Sequence, residues 1–142
     1  MKNTQSSNIL LCITGSIAAY KSADLARLFK KSGYNIRILM TDSACEFITP
    51  LTMQAISGNS VHRNLLDESA EQAMGHIELA KWADTILIAP CSAETISRLS
   101  SGGADDLLGA VILASKAPIY IAPAMNMNMW SNKATQKNVE TL

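Results

Sequence analysis

Residues 8–22 read NILLCITGSIAAYKS, an apolar run that stops at a Thr-Gly-Ser turn and gives way to a helical pattern. A run of strand length without polar alternation is typical of a parallel strand buried on both faces. From 17 to 31 the apolar residues recur at helical spacing, and Gly33 follows as a stop signal. NIRILM at 35–40 then predicts a second strand, so this segment forms a βαβ unit with parallel strands.

The same alternation continues along the chain. TILIA at 85–89 and PIYIA at 118–122 predict two further buried strands. The expected helices are 41–48, ended by Pro50; 76–82; 93–99; 104–115, with Asp105 and Asp106 in its first turn; and 132–142. Residues 50–75 predict only short helices and a loop around Asp67 to Gln72, and 123–130 predicts a methionine-rich loop. The pattern predicts one doubly wound α/β domain with a mostly parallel sheet over residues 8–142, behind a polar tail at 1–7.

The composition excludes several classes of function. The 142-residue chain balances 12 Lys+Arg against 12 Asp+Glu, which creates no net field to attract nucleic acid or an anionic membrane. No apolar run approaches the ~20 residues of a membrane span. Cys12, Cys45 and Cys91 follow no metal-ligand spacing, so we expect no metal site and a reducing cytoplasm. Lys2 and the apolar run at 9–13 also resemble a signal peptide, but a buried strand ending in a glycine turn explains the same letters.

Unusual sequence follows three of the predicted strands, whose carboxyl ends meet at the edge where ligands bind in this class. GSIAAYKS at 15–22 lacks the GxGxxG glycines of a dinucleotide site and the Walker A pattern. It offers a tight turn, the Ser16 hydroxyl and backbone N–H groups at a helix start, which suit a single terminal phosphate. The alternative is an ordinary helix cap. After the second strand, Asp42 is close to where a dinucleotide enzyme carries the acid for its ribose. Thr41 and Ser43 beside it suit phosphate or ribityl hydroxyls equally well, and the alternative is again a helix cap.

Two other features are candidates for substrate chemistry. PAMNMNMW at 123–130 places methionines and a tryptophan around two asparagines. These side chains suit an apolar pocket for a flat ring, with an asparagine amide to orient a carboxylate. The alternative is a partner interface rich in Met and Trp. His76 opens a predicted helix as a candidate acid/base, and a structural or merely exposed histidine is the alternative.

Together, GSIAAYKS, GHIELAKWAD at 75–84, the turn at 89–95 and PAMNMNMW resemble the homo-oligomeric flavin-containing cysteine decarboxylases. Within that family they are most similar to the phosphopantothenoylcysteine decarboxylases, which form the N-terminal half of bifunctional bacterial coenzyme A biosynthesis proteins. The resemblance covers the chain after the polar tail, and its most specific element is the pattern PxMNxxMW. It implies a Rossmann- or flavodoxin-like flavoprotein of the cytoplasm that converts phosphopantothenoylcysteine to phosphopantetheine in coenzyme A biosynthesis.

The resemblance also implies roles for individual residues. FMN is the implied cofactor, and the residues implied to bind it are Gly15, Ser16, Ile17, Ala18, Thr41, Phe47, Ser92, Ala93, Glu94 and Thr95. The residues implied to bind the substrate are Ala124, Met125, Asn126 and Met129. His76 is the implied acid/base, and Asn126 the implied clamp for the carboxylate. In the implied reaction FMN takes a hydride from the carbon that bears sulfur, the resulting thioaldehyde lets CO2 leave, and the hydride returns to form the thiol.

The implied partners are a phosphorylated cysteine conjugate, further copies in a homotrimer or dodecamer, and a fused phosphopantothenate–cysteine ligase domain. Two positions depart from the family pattern, because Glu94 stands in place of Asn and Cys91 in place of Ala or Thr. The family also carries a proton-donating cysteine on a flap beyond the last helix, and we expect the chain to lack that flap. The alternative functions are a flavin prenyltransferase-like enzyme, a non-catalytic FMN-binding regulatory subunit and an NAD-binding domain.

Overall fold

The computed structural model describes residues 7–65 and 75–142, which form a parallel β-sheet with helices packed on both faces. The strands of the described sheet are β1 (Asn8–Ile13), β2 (Asn35–Met40), β3 (Thr85–Cys91) and β4 (Ile119–Pro123). Their order is β2-β1-β3-β4, and every neighbouring pair is parallel. This architecture confirms the doubly wound α/β class predicted from the sequence.

The helices lie between the strands along the chain and pack against both faces of the sheet. They are α1 (Lys21–Lys31), α2 (Pro50–Ser57), α3 (His76–Trp82), α4 (Ala93–Ser101), α5 (Leu107–Ala114), α6 (Met127–Ser131) and α7 (Lys133–Thr141). Short 3-10 helices at Ile17–Tyr20 and Ala44–Glu46 precede α1 and α2. Buried residues of α1 and α2 belong to one core layer, and those of α3, α4 and α5 belong to the other.

β1 joins the two core layers because it is apolar on both faces. Leu10 and Cys12 pack in the layer of α3, α4 and α5, whereas Leu11 and Ile13 pack in the layer of α1 and α2. All four side chains are fully buried. Alternate side chains of a strand point to opposite faces, and burying one Leu or Ile contributes about 1.5–3 kcal/mol. The continuous apolar run therefore forms a strand that is buried on both faces, as predicted.

The helix expected at 41–48 is wrong, since only the 3-10 helix forms there. Pro50 begins α2 instead of ending a helix. A proline ring fits the first helical turn because the N–H that it lacks would have no intrahelical partner. Thr49 caps this helix, and its hydroxyl oxygen accepts the Thr52 N–H at 3.1 Å.

Three other boundaries also differ from the sequence-based expectation. Asp106 is the N-cap of α5 and accepts the Gly109 N–H at 2.9 Å, so neither it nor Asp105 lies in the first turn of that helix. The expected loop at 123–130 contains most of α6, and β3 continues to Cys91. The loop expected at 67–72 and residues 1–6 of the tail lie outside the described residues. No helix in the described ranges is long and apolar enough to cross a membrane.

His62 lies beside β2, where its N–H donates to the Ile38 carbonyl and its carbonyl accepts the Met40 N–H, both at 2.9 Å. The residue is 8% exposed, and its Nε2 atom has no hydrogen-bond partner in the described part of the chain. Burial and, to a smaller extent, the nearby Arg37 guanidinium lower the pKa of His62. The folded protein therefore resists protonation of this ring more than the unfolded chain does.

We predict that stability falls as the pH drops below about 6.5, the pKa of a histidine in an unfolded chain. Below that pH the unfolded chain binds a proton that the folded protein does not, so the free energy of unfolding falls by up to about 1.4 kcal/mol per pH unit. The fall ends at the lowered pKa of the folded state. His62→Leu removes this contribution, so urea denaturation should show a flatter pH dependence for the variant just below about pH 6.5. Equal slopes for the two proteins would contradict a buried neutral His62.

Candidate functional site

A cavity of about 660 Å³ opens at the carboxyl ends of the strands, beside α4 and α5. Most of the residues predicted for the site line it together. They are Gly15, Ser16, Ile17, Ala18, Thr41, Ser92, Ala93, Glu94, Thr95, Ala124, Met125, Asn126 and Met129. The volume lies within the range of small-molecule and cofactor sites. The parallel sheet thus brings distant parts of the sequence to one cavity, at the edge where this fold class binds ligands.

The turn after β1 presents the start of a helix to the cavity. Ser16 has an extended backbone, and its hydroxyl oxygen accepts the Ala18 N–H at 3.2 Å. The Ser16 carbonyl accepts the Ala19 N–H at 2.9 Å, which begins the 3-10 helix. A Cβ on Gly15 would lie 2.5 Å from the Cβ of Ser43, which follows β2, so the two strand exits can approach only because this residue is glycine. Ser16 is an N-cap, as the alternative interpretation held, and it also lines the cavity.

The turn after β3 is built around Ser92, the N-cap of α4. Its hydroxyl accepts the Thr95 N–H at 3.2 Å and donates to the Thr95 hydroxyl at 3.0 Å. Its own N–H donates to the Thr14 hydroxyl at 2.9 Å. Glu94 is exposed in the first turn of α4 and lines the cavity, so the departure from the family pattern places a carboxylate at the site.

Asn126 follows β4 and is the N-cap of α6. Its Oδ1 atom accepts the Met129 N–H at 2.8 Å, which leaves the amide Nδ2 as a donor. Of the four side chains predicted to form an apolar wall, Met125 and Met129 line the cavity. Met127 is 78% exposed and, like Trp130, is not among the cavity residues. The segment therefore contributes an amide donor and two thioethers to the cavity.

A further wall of the cavity was missed by the sequence analysis. It consists of Arg98, Leu99, Gly103, Asp106, Leu108 and Gly109. Ser43, one of the candidates after β2, also lines the cavity, whereas Asp42 does not. Arg98 donates to Asp106 at 3.1 Å, and the Arg98 carbonyl accepts the Gly103 N–H at 3.0 Å. A Cβ on Gly109 would lie 2.1 Å from the Gly103 carbonyl oxygen. Close approach of the α5 backbone to the preceding loop shapes this side of the cavity.

Two pairs of residues carry a sequence signal for this wall. The glycines at 102–103 end α4, and Gly102 adopts a left-handed conformation with φ 75°. The aspartates at 105–106 follow within reach of a basic side chain on that helix, and Arg98 forms ion pairs with both. A glycine break followed by an acidic pair therefore indicates a folded-back loop tied to the helix before it.

Two of the predicted site residues do not line the cavity. His76 is half-buried at the first position of α3, and Phe47 is 48% exposed after the 3-10 helix at Ala44–Glu46. α3 leads into β3, so its first residue lies towards the carboxyl edge of the sheet. The described residues of one chain therefore bring Asn126 and the predicted cofactor turns together without His76.

The cysteines near the strands belong to the core. Cys12 and Cys91 are fully buried, and burial raises the pKa of both thiols, that of Cys91 to about 12. A thiol with so high a pKa supplies almost no thiolate. Cys45 is partly exposed on the 3-10 helix before α2 and does not line the cavity. Within the described ranges no group of three or more His, Cys, Asp or Glu residues is placed to hold a metal ion.

A flavoprotein family model matches residues 1–142. The chain belongs to the flavoprotein family. The coenzyme A biosynthesis bifunctional protein CoaBC of Haemophilus influenzae is 56% identical over 135 residues, which are 95% of this chain and 34% of that protein. The chain thus spans about a third of the length of such curated relatives.

Two solved structures resemble this flavoprotein over nearly its whole length. The FMN-dependent cysteine decarboxylase SpaF has a TM-score of 0.88 and 31% identity, covering 96% of this chain and 78% of that one. A PPC decarboxylase variant complexed with pantothenoylaminoethenethiol has a TM-score of 0.82 and 32% identity, covering 97% and 78%. These similarities confirm the family resemblance inferred from the sequence motifs.

We predict that Gly109→Ala destabilises the fold, whereas Gly103→Ala in the same wall does not. A Cβ at 109 meets backbone atoms of Gly103 and Ala104 at 2.1–3.1 Å, while the nearest atom to a Cβ at 103 is 3.5 Å away. Because the clash is with backbone atoms, we expect it to lower the free energy of unfolding by about 3 kcal/mol. The higher helix propensity of alanine than of glycine offsets ~1 kcal/mol of this loss. Thermal unfolding should show the loss for position 109 only. Equal melting temperatures for the two variants would contradict the close approach.

Proposed function

We propose that this flavoprotein binds FMN in the cavity and decarboxylates phosphopantothenoylcysteine to phosphopantetheine, a step of coenzyme A biosynthesis. The observation that carries the proposal is the meeting of the Ser16 turn, the Ser92–Thr95 turn and Asn126 at one cavity. The names of the relatives support the same reaction, since they include CoaBC, an FMN-dependent cysteine decarboxylase and a PPC decarboxylase.

The residues that line the cavity fit FMN better than a dinucleotide. The turn at 15–18 offers a hydroxyl and the start of a helix, which suit the single phosphate of FMN. The Thr41 hydroxyl oxygen accepts the Ala44 N–H at 3.2 Å and keeps its O–H free to donate to a ribityl or phosphate oxygen. Met125 and Met129 provide the polarizable apolar surface that a flat ring needs. The glycines that let a pyrophosphate approach the backbone are missing from this turn.

The proposed chemistry divides between cofactor and protein. When bound, FMN supplies hydride acceptance from the carbon that bears sulfur and hydride return after CO2 has left. Asn126 would hold the substrate carboxylate through its Nδ2 donor, because its Oδ1 atom is occupied by the Met129 N–H. His76 would exchange a proton with the substrate thiol. Binding the carboxylate at the cavity rim orients the bond that breaks.

The position of His76 supports a site completed by a second copy of the chain. His76 and Phe47 do not line the cavity of their own chain, although the resemblance assigns both to the site. Large apolar side chains are exposed near the cavity entrance, including Met129 at 47% and Trp130 at 39%. Exposed apolar surface of this kind marks interfaces, and cyclic oligomers are common among soluble proteins. We therefore propose a homotrimer, or a dodecamer built from trimers, with FMN near the subunit contact.

The same relatives support a proposal for the domain to which this one is fused. Because they are bifunctional and the chain covers only 34% of one of them, we propose that a phosphopantothenate–cysteine ligase domain is fused to it in the whole protein. The free cysteines support a reducing cytoplasm as its location.

We predict that His76→Asn lowers CO2 release from phosphopantothenoylcysteine by ~10²–10⁴-fold, the usual effect of losing a positioned acid/base. Asn126→Asp should abolish CO2 release, because it places a negative charge against the substrate carboxylate. Asp caps a helix as well as Asn, so Asn126→Asp keeps the bond to Met129 while replacing the amide donor with a negative charge. Asn128→Asp adds the same charge outside the cavity and should retain wild-type activity. All three variants should stay yellow. Wild-type turnover by His76→Asn or Asn126→Asp would contradict the proposed roles, and consumption of a prenyl phosphate in place of CO2 release would indicate a prenyltransferase.

Co-expression of the two inactive variants tests the shared site. If His76 of one copy serves Asn126 of another, random mixing leaves both residues intact in about a quarter of the sites, so about a quarter of wild-type activity should return. Separately purified variants should show no recovery before their subunits exchange. Absence of recovery in mixed oligomers would place both residues in the site of a single chain.

A further inference from the structure

One buried hydroxyl joins two of the turns that line the cavity. Thr14 is 1% exposed and lies between the end of β1 and Gly15. Its hydroxyl donates to the Pro90 carbonyl at 2.6 Å and accepts the Ser92 N–H at 2.9 Å. The hydroxyl therefore both donates to and accepts from the turn after β3, although the Thr14 backbone leads directly into the turn after β1.

Thr14 accepts the N–H of Ser92, the N-cap residue at which α4 begins. Ser92 accepts the Thr95 N–H through its hydroxyl, so the position of the Ser92 backbone sets the first turn of the helix. Ser92, Glu94 and Thr95 all line the cavity. On the other side, the residues that follow Thr14 form the proposed phosphate turn. A change in the Thr14 hydroxyl therefore alters the spacing of two cavity walls without altering a residue that lines the cavity.

A second buried hydroxyl binds the same β3 exit but does not reach the cavity turn. Ser22 of α1 is 2% exposed and donates to the Ala89 carbonyl at 2.8 Å. Neither Ser22 nor Ala89 lines the cavity. Ser22 thus shares the burial and the type of bond found at Thr14, but it holds the strand before the turn. It provides a matched control for the stability of this region.

We infer that Thr14 is a positioning residue of the proposed flavin site, which holds the Ser92–Thr95 turn at a fixed distance from the phosphate turn. This inference rests on the proposed function, since it takes FMN as the ligand that bridges the two turns. Thr14→Val keeps the shape of the side chain but removes both hydrogen bonds. The Pro90 carbonyl then keeps only its 3.3 Å bond from the backbone N–H of residue 14, and the Ser92 N–H loses its partner. Thr14→Ser restores the hydroxyl.

The test compares Thr14→Val, Thr14→Ser and Ser22→Ala in three measurements. FMN affinity is measured by quenching of flavin fluorescence, the environment of the ring by its visible spectrum, and the stability of the apoprotein by its melting temperature. Thr14→Val should weaken FMN binding by about tenfold, as expected when the cavity turn loses the buried hydrogen bond from the Ser92 N–H, and should shift the flavin bands. Thr14→Ser should bind within about threefold of wild type. Ser22→Ala should also lower the melting temperature, while retaining wild-type affinity and spectrum.

Hydrogen exchange of the Ser92 amide in the apoprotein tests the Thr14–Ser92 hydrogen bond without any ligand, and so independently of whether FMN binds. Thr14→Val should speed that exchange by about tenfold or more, since the amide loses its acceptor, and Thr14→Ser should not. Unchanged exchange, or wild-type FMN affinity in Thr14→Val, would overturn the positioning role. Equal loss of affinity in Ser22→Ala would also overturn it, by showing a general effect on stability. Failure of the wild-type chain to bind FMN would overturn the proposed function and the flavin role of Thr14 together, even with the exchange result as expected.

Discussion

β1 is paired with β2 along one edge and with β3 along the other, and its side chains are buried on both faces. Because both faces of the strand are buried, a polar side chain would lack a partner on either face, and a register shift would turn every side chain to the wrong face. Both core layers are assembled on it, one through Leu10 and Cys12 and the other through Leu11 and Ile13. Because the described strands are all parallel to β1, each of them ends at the same edge. The cavity is a direct consequence of that arrangement.

The exits of these strands are not independent loops. Thr14 ties the β1 exit to Pro90 and Ser92, and the Ala124 N–H ties the β4 exit to the Cys91 carbonyl at 3.0 Å. The exit of β2 is drawn in by the contact between Gly15 and Ser43. Hydrogen bonds between neighbouring exits therefore hold the walls of the cavity in register before any ligand arrives. Such preorganisation lowers the cost of ordering a site on binding.

Much of this arrangement could be predicted from the sequence because it follows from local rules. The apolar runs predicted the strands, and the unusual residues after β1, β3 and β4 predicted most of the residues that line the cavity. Pro50 was misread because a proline both stops one helix and starts another, and the sequence around it does not distinguish the two. The wall formed by Arg98 and Gly109 was missed because it depends on tertiary contacts between a loop and two helices. The capping role of Asn126 was missed because α6 is short and its signal lies within a segment rich in methionine.

The placement of His76 marks the limit of prediction from one chain. Its motif was recognised, but the structure of the described residues leaves it outside the cavity that holds Asn126. Spacing along a sequence indicates which residues share a helix or strand, and it does not indicate which chain of an assembly supplies a side chain. The contacts of the proposed oligomer would depend on the exposed surface around Met129 and Trp130, and such surfaces leave no periodic pattern in a sequence.

The cavity at the strand exits is proposed to hold a flavin with a single phosphate, and a crystal structure of the protein with FMN would test this. We expect the phosphate within hydrogen-bonding distance of the Gly15–Ala18 turn and the ring beside the Ser92–Thr95 turn, with the Asn126 amide at its edge. A phosphate bound elsewhere, or a ring outside this cavity, would show that the strand exits do not form the flavin site.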